Sequence, residues 1–142
     1  MRRTNWQFLI VVPFLLLGCK ANDFDLSEGC VVLAQADSGL FSNGPNDNHV
    51  INNVQIDGDC MFIEFSAGGC SGDSWAVELY GSEATTFSEP PQRSIRLSLL
   101  DAEECEAWIS KSVSFDISDF KVAGGDVLLN LQGYEDLILY PN

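Results

Sequence analysis

The chain has 142 residues, with 7 basic against 21 acidic and a net charge of −14. That length fits one domain of common size, with enough residues to bury a core. So negative a field argues against nucleic acid and anionic lipid as partners, since both are held by Lys and Arg, and suits cations or basic proteins.

The first feature in chain order is a targeting segment. Arg2 and Arg3 form a positive end, Phe8 to Leu17 is an apolar run broken only by Pro13, and Gly18 precedes Cys19. The run is half of the roughly twenty apolar residues that a bilayer span needs, which disfavours a permanent transmembrane helix. Leu16-Leu17-Gly18-Cys19 resembles the lipobox of bacterial lipoproteins. The resemblance implies cleavage before Cys19, lipid on its sulfur and an acylated N-terminus. An ordinary secretory signal with a chance cysteine is the alternative, and the placement of Leu-Leu-Gly-Cys at the end of the run speaks against it. Twin-arginine export would require an apolar pair that Thr4-Asn5-Trp6 lacks.

Acyl chains contribute about 0.8 kcal/mol per buried methylene, and more than one chain gives stable anchoring. Lys20 stands where inner-membrane retention in this class usually shows Asp, so the resemblance implies the outer membrane of a Gram-negative envelope. Residues 19–29 are expected to be the lipidated cysteine and an acidic tether, and residues 30–142 the single domain. Loss of residues 1–18 removes two bases and no acid, which takes the net charge from −14 to −16.

Four further cysteines, Cys30, Cys60, Cys70 and Cys105, predict two disulfides in an oxidising compartment. Three connectivities are open, and Cys30–Cys60 with Cys70–Cys105 is favoured. No C-x-x-C spacing exists and His49 is the sole histidine, so zinc does not fit.

Apolar residues then recur with period two between Gly, Asn, Asp and Pro clusters, which predicts strands throughout. Val50 to Ile56, Asp57-Gly58 and Asp59 to Phe65 form a hairpin with a type I′ turn, setting Val54 opposite Met61 and Val50 opposite Phe65. Those four share one face and Cys60 falls on the other, where its disulfide would pin a flanking segment. Trp75, Val77 and Leu79 alternate, as do Ile95, Leu97 and Leu99, around a turn-rich Glu89-Pro90-Pro91 connection. Residues 100–104 would connect Leu99 back to Cys105 and Leu97 to Ala107, with at most one helical turn between Asp101 and Trp108. Ala107, Ile109, Val113, Phe115 and Ile117 are apolar at odd positions. Phe115 to Val122, a turn at Ala123-Gly124-Gly125, Val127 to Leu131, a turn at Gln132-Gly133 and Asp136 to Tyr140 complete the series. Seven or so short strands predict an all-β antiparallel β-sandwich with disulfides, a small closed β-barrel being the alternative.

No catalytic set stands out. His49 lies in a loop, there is no G-x-S-x-G elbow, and the carboxylates, though abundant, form no evident pair, so the domain is expected not to be an enzyme. For a calcium ion the candidates are Asp47, within Asn46-Asp47-Asn48, and Asp73, after Gly72; ordinary turns explain the same residues. Trp75 belongs with Val77 and Leu79 in the core. Trp108 falls with Glu106 and Ser110 on a polar face, where it would make a stacking platform unless a second sheet or the Cys30 segment covers it.

Asp57-Gly58-Asp59-Cys60, Gly68-Gly69-Cys70, Pro90-Pro91-Gln92, Cys105-Glu106-Ala107 and Val113 to Ile117 together resemble a group of small bacterial envelope lipoproteins of no established activity. The resemblance supports the Cys70–Cys105 pairing and transfers no catalytic residue. The expectation is a lipid-anchored, non-enzymatic structural or binding domain. Two alternatives accompany it: an acidic inhibitor or receptor for a basic protein such as a lysozyme, and a calcium-dependent binder of envelope polysaccharide.

Overall fold

The computed structural model describes residues 29–142, so Cys19, the segment before it and residues 20–28 lie outside the described residues. Period-two alternation produces β1 (Val32–Leu33), β2 (Gln35–Ala36), β3 (His49–Asp57), β4 (Cys60–Gly69), β5 (Ala76–Gly81), β6 (Gln92–Leu100), β7 (Ala107–Asp116), β8 (Val127–Leu131) and β9 (Leu137–Tyr140). Among the described residues a single α-helix, α1 (Ser38–Asn43), occurs, just before β3. The strands form two sheets, ordered β1-β7-β4-β3 and β2-β5-β6-β8-β9, which pack as a sandwich and do not close into a barrel. Met61, Ile63, Phe65 and Ala67 of β4 alternate into the core, where they meet Leu79, Ile95, Leu97, Leu99 and Leu129 of the second sheet.

The pairing is mixed rather than wholly antiparallel. β1 runs parallel to β7, β2 to β5 and β6 to β8. The reason lies in the connections. No β6–β7 hairpin forms, because residues 101–106 carry the chain from the second sheet to the first, where β7 pairs along all ten residues of β4. The strand expected from Phe115 to Val122 likewise ends at Asp116. A 3₁₀ turn over Ser118–Phe120 takes the chain back across, and the expected hairpin at Gly124-Gly125 reduces to one bridge, Val122 to Gly125. Arriving from the other sheet, β8 lies parallel to β6.

The β3–β4 hairpin exists with a different register. Gly58 and Asp59 are the two turn residues, Asp57 pairs with Cys60, and Val54 faces Ile63 instead of Met61. Only Gly58 has positive φ, at 57°, whereas type I′ demands it at both positions; a glycine first suits type II′. A bulge between Ile51 and Asn53 then reverses the parity of the strand start. Ile51, not Val50, enters the core, and Val50 stays 50% exposed.

Helix α1 was not expected. Asp37 caps it by accepting from the Leu40 N–H at 2.8 Å. Arg96, buried on the outer face of β6, donates to the carbonyls of Leu40, Phe41, Gly44 and Pro45 at the helix end, where carbonyl dipoles favour a cation.

The disulfides are Cys30–Cys60 and Cys70–Cys105. Cys60 is the first residue of β4 and Cys70 directly follows its last, so one central strand is tied at both ends. The ends are thereby distinct. At one, Cys30 joins the chain's entry to the β3–β4 turn, and Asp59 of that turn accepts from Lys121 at 2.9 Å and from the Tyr140 hydroxyl at 2.7 Å, linking the sheets. At the other, the Asp47 N–H donates to Leu99 O at 3.0 Å and Cys105 brings in the start of β7.

Closing loops of 30 and 35 residues stabilises by about 3–4 kcal/mol each in the chain-entropy account. Replacing either pair with alanines is expected to lower the unfolding free energy by that amount, seen as a lower urea midpoint in the unfolding curve of the domain. An unchanged midpoint for both double variants would show that β4 is held by packing alone.

Candidate functional site

At the end remote from Cys30, the crossover 101–106 is pinned at three alternate residues. The Asp101 N–H donates to Asp47 Oδ2 at 2.7 Å, and Asp101 Oδ1 in turn accepts from Trp75 Nε1 at 3.0 Å and from the Glu103 N–H at 2.7 Å. Glu103 inserts its carboxylate into the loop after β4. Oε2 accepts main-chain N–H bonds from Cys70, and from Ser71 and Gly72 at 3.0 Å, while Oε1 accepts from the Ser74 hydroxyl at 3.0 Å. Such a concave run of N–H groups forms because Gly72 adopts φ 69°, closing the loop around an anion. Cys105 is then bonded to Cys70.

These bonds set the charge of the site. Led by the Gly72 N–H, with Cys70, Ser71 and Ser74 adding to it, they hold the Glu103 carboxyl at about 2, well below its ordinary 4.5. It is ionised at any working pH and serves as a tie. Trp75 closes the core beneath it, 5.8 Å from the Phe65 ring, with Lys111 over its face at 6.0 Å. A Cβ on Gly69 would come within 2.8 Å of the Trp75 ring and 2.7 Å of Glu103 Oε2, so that position admits only glycine at this spacing.

What the ties leave open is a cleft of about 410 Å³, lined by Asp47, Asn48, Gly68, Asp101, Cys105, Glu106 and Trp108. Trp108 is 59% exposed, so neither the second sheet nor the Cys30 segment covers it. Its Cα partner across the ladder is Gly68, which presents no side chain beside the indole. It is a shallow, open depression whose lining contains carboxylates, an amide and one large aromatic surface but no Lys or Arg.

The candidates singled out in sequence fall apart into two groups. Asp47, Asn48 and Trp108 meet in the cleft. Asp73 does not join them; it pairs with Lys111 at 3.0 Å, which lowers its carboxyl below the usual range. Asp47 spends one oxygen on Asp101, and among the described residues no three of His, Cys, Asp and Glu are grouped to share a metal ion. The two calcium candidates, Asp47 and Asp73, thus stand apart, each engaged by its own partner. His49 begins β3, and its Nδ1 lies 2.7 Å from the Asp47 carbonyl, to which it donates. Asp101, Glu106 and Gly68 were not anticipated as site residues.

Fold and site together define a disulfide-tied β-sandwich with an open cleft at one end. No protein-family model matches the chain, and no curated protein matches it either. Two solved structures are similar to the chain. A protein of unknown function DUF1344 from Bacteroides vulgatus superposes with a TM-score of 0.50 at 15% identity, covering 78% of this chain and 55% of that one. Another, from Parabacteroides distasonis, gives 0.48 at 17% identity over 78% of this chain and 60% of the other. This chain thus spans less than two thirds of either, and the likeness is one of fold alone.

Depression of the Glu103 carboxyl to about 2 means that the folded state binds its proton more weakly than the unfolded chain does. The stabilisation is fully present above the ordinary value of 4.5 and disappears as pH falls towards 2. Thermal unfolding midpoints measured from pH 6 to 2.5 are expected to fall for the native domain and to fall less steeply for Glu103→Gln, whose starting stability is lower. Parallel profiles would remove Glu103 from the account.

Proposed function

We propose that this chain is a lipid-anchored, non-enzymatic binding protein of the bacterial envelope, carried on the outer membrane, and that the cleft at Trp108 is its binding site. The observation that carries the reading is polarity. The residue to which any N-terminal anchor connects, Cys30, is bonded to the β3–β4 turn, while the cleft opens at the opposite end of the ten-residue β4. At about 3.3 Å per residue, the strand separates the two by roughly 30 Å, so a chain anchored through Cys19 would present the cleft away from the membrane.

Absence of an enzyme is supported by how the polar groups are spent. Asp101 and Glu103 accept main-chain donors as ties, and the His49 ring is engaged by a carbonyl. A second reading, reception of a basic protein, draws support from the cleft's three carboxylates and from the net charge of −14. Binding of that kind must weaken as salt rises, whereas contacts made by Trp108 persist.

The anchor is tested by expressing the full chain and Cys19→Ser in a Gram-negative host. The native chain is expected in the outer-membrane fraction with a diacylated or triacylated Cys19 by intact mass, and the variant in the soluble fraction or retained as precursor. A native protein with a free thiol at position 19, or with residues 1–18 intact, would overturn the anchored reading.

A further inference from the structure

We infer that the cleft takes an uncharged saccharide, stacked on Trp108, as its ligand; this names the ligand for the binding site proposed above and rests on that reading. Four observations converge on it. The first is the platform. On the outer face of β7, Trp108 is 59% exposed, a large apolar surface held in place by a strand that is itself tied through Cys105. The π face of an indole carries partial negative charge, and the C–H bonds on one face of a sugar ring carry the complementary partial positive charge.

The second is the shelf. Gly68, paired with Trp108, would meet nothing within 4 Å if it bore a Cβ, so packing does not demand glycine there. Its effect is to leave the space beside the indole empty. This differs from Gly69, one residue on, where Trp75 and Glu103 require the absence of a side chain.

The third is the set of polar groups. Asp47 and Asp101 each direct one oxygen to a main-chain or indole N–H and have a second oxygen left, Glu106 stands at the rim, and Asn48 offers both donor and acceptor. Hydroxyls donate to carboxylates in charge-assisted bonds, so a polyhydroxylated ring meets acceptors on the sides while its face lies on the aromatic. The same carboxylates, with no Lys or Arg in the lining, repel uronate, sulfate or phosphate groups.

The fourth is extension. Two residues along the same face of β7, Ser110 Oγ lies 2.7 Å from Ser66 Oγ, which accepts from Asn52 Nδ2 at 2.6 Å. Ser66 is buried, so it is the exposed Asn52 and Ser110, joined through it, that continue the polar face beyond the indole, as a chain of several sugars would need. The bulge next to Asn52 is what turns this side chain to the outer face.

The test titrates the soluble domain with neutral tetrasaccharides of glucose, galactose, mannose and N-acetylglucosamine, and with a tetrasaccharide of glucuronate, at low and physiological salt. At least one neutral probe is expected to bind with little salt dependence, and the glucuronate probe is expected not to bind. Trp108→Ala and Gly68→Val are each expected to weaken the neutral probe by about tenfold or more while leaving the melting temperature unchanged. Gly68→Val separates shelf filling from any loss of folding, because its side chain enters open space. Lysozyme is titrated in parallel. Binding of lysozyme but no saccharide, with loss in Trp108→Ala, overturns the saccharide and leaves the cleft standing as a binding site. Saccharide binding that both variants retain overturns the placement at Trp108, and no Trp108-dependent binding to any probe overturns both.

Discussion

The structure depends on one constraint: the central strand β4 is covalently held at both ends. Cys60 opens it and Cys70 follows it, and their partners Cys30 and Cys105 belong to segments that would otherwise have to find the strand through long loops. Constraining those loops removes disorder from the unfolded chain, which matters in a domain whose sheets alternate connections instead of following simple hairpins. With β4 fixed, β3 and β7 pair along it on either side, and Met61, Ile63, Phe65 and Ala67 are delivered to one face with no freedom to slip by a residue.

From that constraint the two ends acquire different characters. The Cys30 end is closed by a charge-assisted clamp in which Asp59 receives Lys121 and Tyr140, which pulls the Asp59 carboxyl down, while burial and then the bond to Asp59 push the Tyr140 hydroxyl up. The other end is closed by a carboxylate, Glu103, held by successive N–H groups of the loop after β4, and by Trp75 as a plug. Crossover residues 101, 103 and 105 are all tied, so the rim residues Glu106 and Trp108 project from a rigid base. Rigid presentation lowers the ordering cost of binding, which is the physical advantage of building a cleft on strands.

Much of this architecture was legible before the structure. Parity alone identified the core faces of β4, β5 and β6 and put Trp108 with the polar residues of β7. The failures have specific causes. Alternation defines which residues face inward and is silent on which sheet a strand joins, so β6 and β7, with matching apolar faces, looked like neighbours although residues 101–106 separate them into different sheets. A bulge beside Asn52 is invisible to period-two reasoning, and it reversed the expected roles of Val50 and Ile51. In the site, Asp47 and Trp108 were visible as a turn acid and an off-pattern aromatic. Glu103 and Asp101 were not, because their partners at 70–75 lie about thirty residues away and become neighbours only through Cys70–Cys105; the small-residue run Ser71-Gly72 was the available signal of a loop able to enclose an anion.

The central claim, that the proposed anchor and the cleft occupy opposite ends, can be measured through the two tryptophans among the described residues, Trp75 and Trp108, which both lie at the cleft end. The lipidated protein isolated from cells would be reconstituted into vesicles containing brominated acyl chains, and its fluorescence compared with that in ordinary lipid. The account predicts undiminished tryptophan emission with brominated lipid and quenching by aqueous acrylamide that Trp108→Ala largely abolishes. Strong quenching by the bromine would place the indoles at the bilayer and contradict it.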